Sequence, residues 1–148
     1  MTRRSPLHDA ETPRPAAPAA EADLGALPEW DLSDLYAAPD APELAADLDR
    51  LEAACASFAA DYEGRLAGLT PAEMLECIER YQQIDLIAGR IMSYAGLRYY
   101  QNTTDAARAK LMGDLQAKIT DMTTPLVFFS LEFNRIPDAT YEAIFAAA

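Results

Sequence analysis

The stretch TPAEMLECIERYQQIDLIAGRIMSYAGLRYY, residues 70–100, decides the fold. It opens on Thr70-Pro71-Ala72-Glu73, a capping box with proline at the first helical position, where a missing N–H costs nothing. Leu75, Ile78, Tyr81, Ile84, Ile87, Ile91, Tyr94 and Leu97 then recur at steps of three or four. No proline falls between Pro71 and Pro125. The spacing predicts one long helix to about Tyr100 with a single apolar stripe. Gly89 and Gly96 lie inside it, each costing about 1 kcal/mol relative to alanine, so close helix–helix contact along that stripe is the expected compensation.

On the N-terminal side, a second helix is predicted from about Ala41 to Glu63. Asp40 is a suitable N-cap, Pro42 suits the first turn, and Glu43 sits three residues after Asp40. Leu44, Leu48, Leu51, Cys55, Phe58 and Tyr62 form its apolar stripe, and Gly64 can take the left-handed conformation that ends it. Asp47, Asp49, Glu52 and Asp61 are expected on the opposite, solvated face. On the C-terminal side, a helix is predicted from Thr104-Asp105 through Leu111, Leu115, Ile119 and Met122, kinked or broken near Thr123-Thr124 by Pro125. A last helix is expected from about Asp138, carrying Tyr141, Ile144 and Phe145, and the pattern stops at Ala148 as though interrupted. The segment LPEWDLSDLY (27–36) reads as an extended stretch or single turn that docks aromatic side chains on the core. Residues 1–26, with Pro6, Pro13, Pro15 and Pro18 and no apolar face, read as a disordered tail.

Composition supports the same class. Thirty of 148 residues are alanine and seventeen leucine, against one valine, Val127, so helix formers abound and strand formers are scarce. The expected architecture is all-α: an antiparallel bundle of long helices, a helical hairpin lobe, over residues 27–148. The formal charge of −12 argues against nucleic acid and anionic membrane surfaces as partners. Arg3-Arg4 has no apolar segment behind it, so no secretory signal is read. Cys55 and Cys77 make no disulfide framework, which suits a cytoplasmic protein with reduced thiols.

Chemistry-bearing constellations are few. His8 is the sole histidine, so neither an H-E-x-x-H zinc helix nor a histidine-based nucleophile site can be assembled from these residues. No catalytic, cofactor-binding or metal-ligating residue is therefore assigned, and no cofactor is expected in this chain itself. Cys55 and Cys77 read as buried apolar residues. Glu76, Glu79 and Asp85 read as a solvated helix face. Tyr94, Tyr99 and Tyr100 with Arg90 and Arg98 either line a peptide groove or cap a bundle core. The run Leu126-Val127-Phe128-Phe129-Ser130-Leu131-Glu132-Phe133 is apolar around most of a helix, which hints at a missing neighbour and at self-association through this Phe-rich segment.

Taken in order, several pieces resemble the N-terminal region of oligoendopeptidase F. They are WDLSDLY (30–36), Phe58 with Tyr62-Glu63-Gly64-Arg65-Leu66, Arg90 with Tyr94-Ala95, Leu97 and Tyr99, and Phe128-Phe129-Ser130-Leu131-Glu132-Phe133. Those enzymes are zinc metallopeptidases of the thimet oligopeptidase and neurolysin type, and the resemblance covers roughly residues 27–145. It implies a helical lobe that forms one wall and the roof of a channel admitting short peptides. The family's zinc lies in an H-E-x-x-H helix plus a further glutamate in the C-terminal half, and none of those residues is present here. The expectation is a substrate-gating lobe, cut before the catalytic domain and inactive alone. The rival expectation is a stand-alone helical module that binds a protein or peptide. The first expects Phe128, Phe129 and Phe133 exposed, the second expects them buried.

Overall fold

Local capping chemistry sets several of the helix boundaries in the computed structural model, which describes residues 29–146 and, at Phe145, the backbone alone. The described residues are 78% helical and contain no strand. Five α-helices occur in order among the described residues: α1 (Pro42–Tyr62), α2 (Pro71–Gln101), α3 (Ala106–Thr123), α4 (Val127–Phe133) and α5 (Asp138–Ala146). The expected tail, residues 1–26, lies outside the described residues.

At the start of α2, the Thr70 hydroxyl accepts from the Glu73 N–H while the Glu73 carboxylate accepts from the Thr70 N–H at 2.8 Å, so the capping box is complete. Asp105 caps α3, accepting from the N–H groups of Ala107 and Arg108. Gly64, at φ +76°, turns the chain after α1 into a 3₁₀ turn at Leu66–Gly68. Pro125 ends α3 as expected, in a 3₁₀ turn at Thr124–Leu126. The hydroxyls of Thr123 and Thr124 donate to the carbonyls of Ile119 and Thr120, tying the last turn of α3.

The cap of α1 differs from expectation. Ala41, not Asp40, occupies the N-cap, and no side chain caps the helix. Ala41 is buried in the core, and its carbonyl accepts from Leu44 and Ala45, so its burial holds the register and leaves Asp40 in the preceding turn.

α1, α2 and α3 pack on one another, α4 returns against the Leu66–Gly68 turn, and α5 lies on α2. Asp47 of α1 meets Arg90 of α2, and ten residues later Ser57 meets Arg80, so α1 and α2 run in opposite senses. The core is filled by the expected α1 stripe and, from α2, by Met74, Cys77, Ile84, Ile91, Tyr94 and Ala95. Here the α2 reading needs correction at its start: Leu75 is 53% exposed, while Met74 and Cys77 face inward. Three-residue steps rotate backwards by about 60° each on a helix of 3.6 residues per turn. The observed inner face instead alternates steps of three and four, through Met74, Cys77, Tyr81, Ile84, Ala88, Ile91 and Ala95.

Two further expectations fail. A Cβ placed on Gly89 would meet nothing within 4 Å, and one on Gly96 only the Tyr100 ring of its own helix, so neither glycine marks a close helix crossing. Trp30 is 62% exposed, and of the aromatic pair in residues 30–36 only Tyr36 docks in the core. The turn carrying it is closed by the N–H groups of Leu35 and Tyr36 donating to the Leu32 carbonyl.

Candidate functional site

Asp47 is the one charged residue buried among those described, and it was expected on the solvated face. Its place three residues after Leu44 and four before Leu51 puts it within the apolar stripe of α1. Burying a carboxylate is costly unless it is paired, and here both oxygens are engaged. Oδ2 accepts from the Tyr36 hydroxyl at 2.7 Å and from Arg90 Nη1 at 3.2 Å, while Oδ1 meets Arg50 Nη1 at 3.2 Å. Arg90 also donates through Nη2 to the Leu35 carbonyl, and its guanidinium lies 4.5 Å from the Tyr36 ring centroid. The Tyr36 ring meets Tyr94 edge-on at 5.2 Å.

Burial first, and then the Asp47 carboxylate, push the Tyr36 phenol above its ordinary value, so it stays a donor. With both Asp47 oxygens occupied by Tyr36, Arg90 and Arg50, the cluster is a lock that holds the 30–41 segment on α1 and α2. It presents no free base.

The tyrosine and arginine set on α2 does not form one groove. Tyr94 is fully buried, with no partner for its hydroxyl, and Arg98 lies 5.8 Å from its ring. Tyr99 and Tyr100 lean on each other at 5.4 Å, and Tyr100 points outward. Arg90 belongs to the Asp47 lock.

At the other end of the α1–α2 pair, Phe58 is the centre of an aromatic cluster. Its ring lies 4.9 Å from Tyr62, 5.7 Å from Tyr81, 6.0 Å from Phe128 and 5.7 Å from Phe129. Tyr81 and Phe129 stack at 4.3 Å, and Phe133 continues the chain of rings to Tyr141. Phe128, Phe129 and Phe133 are half-buried, and Val127 and Leu131 are the exposed apolar residues of α4. The Gly64 N–H donates to Glu132 Oε1 at 2.7 Å, tying α4 to the end of α1.

Cys55 and Cys77 are buried, and burial raises both thiols, Cys77 to about 11, which keeps them protonated and unreactive at neutral pH. Glu76, Glu79 and Asp85 are exposed on α2, as expected. Among the described residues no group of three or more His, Cys, Asp and Glu side chains is placed to hold a metal. His8 lies outside the described residues. No helix among them is long and apolar enough to cross a membrane.

Comparison with protein-family models, curated proteins and solved structures found no match to this chain.

Proposed function

We propose that the chain is the substrate-gating helical lobe of an oligoendopeptidase F-like zinc metallopeptidase, an antiparallel bundle of long helices that acts on short peptides only with a catalytic domain. In this reading the protein is cytoplasmic, its N-terminal tail is disordered, and zinc belongs to the catalytic domain rather than to these residues. One observation carries it. Residues of the four motif pieces, scattered through the sequence, are partners in space. Tyr36, Arg90 and Tyr94 join in one cluster, and Phe58, Gly64, Phe128, Phe129 and Glu132 join in another.

The test is turnover of a quenched fluorogenic oligopeptide by the purified chain with added zinc. No turnover is expected, and robust turnover sinks the reading. Reading the nucleotide sequence in frame beyond codon 148 tests the other half: an H-E-x-x-H helix is expected, and its absence removes the lobe assignment.

Phe128, Phe129 and Phe133 are half-buried, between the exposure expected of a lobe and the burial expected of a module, so a second reading stands beside the first: a stand-alone helical module that binds a protein or peptide. A module runs as a clean monomer or defined dimer and binds little hydrophobic dye. A lobe deprived of its neighbour self-associates through Val127, Leu131 and the ring cluster.

A further inference from the structure

α2 packs behind both α1 and α3, and on the side away from it a groove runs between α1 and α3. No α2 residue lines it. Its two overlapping cavities hold about 480 and 500 Å³ and share Ala45, Leu48 and Lys118. The floor is apolar: part-exposed Leu48 and Leu111 lie over the buried Leu44 and Leu115, with part-exposed Met122 at one end. The walls are acidic. Asp49 and Glu52 rise from α1 and Asp121 from α3, all exposed, and among the described residues none of the three makes an ion pair. Lys118 is the one cation along this length, and Asp114, further along, is held by Lys110.

We propose that this groove docks a cationic amphipathic helix of about three turns from a partner protein. The length follows from the α1 residues that line it, Ala41 to Glu52, which span about 17 Å at 1.5 Å per residue. The shape follows from the packing: three helices already touch pairwise, and a fourth laid along α1 and α3 completes a four-helix bundle. An apolar face at three- and four-residue spacing covers the leucine floor, and flanking Lys or Arg reach Asp49, Glu52 and Asp121. A second copy of this chain is a poor occupant, because its formal charge of −12 repels the same walls. The inference is independent of the peptidase-lobe reading, since it uses none of the motif residues.

The probe is a fluorescein-labelled 14-residue peptide of leucine and lysine with amphipathic helical spacing, titrated into the full chain and followed by anisotropy. Its counterpart with glutamate in place of lysine is the charge control. The lysine peptide is expected to bind and the glutamate peptide to fail. The triple variant Asp49→Lys, Glu52→Lys and Asp121→Lys should weaken binding at least tenfold. The triple Glu76→Lys, Glu79→Lys and Asp85→Lys, with the same change in net charge on exposed α2 positions, should weaken it less than twofold. Unchanged melting temperatures for both variants separate lost binding from lost folding. Equal weakening by the two triples, or binding of the glutamate peptide, overturns the proposal. So does sedimentation that shows a dimer dissolved by the groove variant alone, which would assign the groove to a second copy.

Discussion

The two ends of the α1–α2 pair are fastened by different physics. Around Asp47 the contacts are a few directional hydrogen bonds, each oxygen matched to a named donor, drawing in a segment more than ten residues upstream. Around Phe58 they are ring faces and edges at 4.3–6.0 Å, drawing in α4 from some seventy residues downstream. A ring cluster tolerates small shifts because dispersion falls off gradually and has little direction. A buried carboxylate tolerates none, because an unmatched charge there carries its full desolvation cost. The aromatic end therefore supplies bulk stability, and the polar end supplies a unique seating for residues 30–41.

Phe58→Ala tests the first half and should have the largest effect. Phe58 is completely buried among four other rings, so truncation removes its transfer free energy and leaves a cavity, at a cost of about 4 kcal/mol in urea denaturation. A loss under 1.5 kcal/mol would mean that α4 collapses into the space and that the cluster is loosely packed.

Asp47→Ala comes next, at about 2 kcal/mol. The figure stays below that for a fully buried pair because the side chains of Arg50 and Arg90 are 64% and 43% exposed and can turn to water. Tyr36 has no such escape, so its stranded hydroxyl carries most of the cost. The variant should also open residues 30–41 to limited proteolysis while α3 to α5 stay resistant. Uniform cleavage across the chain would show that the lock is not local.

The two ends also differ in how plainly the sequence announces them. Thr70, Asp105, Gly64 and Pro125 act through their nearest neighbours, and each does in the structure what its type and position imply. The rings of 128–133 were visible as an apolar run, although nothing in the run says that Phe58 and Tyr81 receive them. Asp47 reads as surface by residue type, whereas its position on the helical face of Leu44 and Leu51 makes it buried. That interruption of the stripe was the available clue. The α2 stripe was placed correctly in its later turns and wrongly at Leu75, because runs of three-residue steps drift around the helix. The motif pieces that carry the family resemblance include Tyr36, Arg90, Phe58, Phe128 and Phe129 but not Asp47 or Tyr81, and neither cluster offers a nucleophile, a free base or a metal site among the described residues. The groove between α1 and α3 had no sequence signature at all, since it depends on where α3 settles.

Tyr36→Phe isolates one hydrogen bond of the lock and should cost about 1 kcal/mol at neutral pH. Its pH dependence carries more information. The Tyr36 phenol is raised in the folded protein by burial and by Asp47, above an unfolded value near 10. Its contribution is therefore present in full below about pH 10 and lost as pH rises from there toward the folded value, because only the unfolded chain releases that proton. The deficit of the variant relative to the parent should shrink above pH 10, the other tyrosines and the cysteines being common to both. A deficit unchanged from pH 8 to pH 11 would mean that the phenol is free to ionise in place and that the lock is open.

Glu132→Ala should have the smallest effect and asks whether the aromatic end hides a polar lock of its own. The Glu132 carboxylate accepts from the Gly64 N–H at 2.7 Å, but the site is exposed and water can replace it, so about 0.5 kcal/mol is expected. Gly64 needs its left-handed conformation regardless of that bond, with φ at +76° and open space where a Cβ would sit. Gly64→Ala should therefore cost about 1 kcal/mol through the backbone alone, and the two losses should add, because one concerns torsion and the other a surface acceptor. A double variant that loses markedly more than the sum would mean that Glu132 holds the turn in shape. The contrast between a matched polar end and a forgiving aromatic end would then give way to two locks, one buried at Asp47 and one exposed at Gly64.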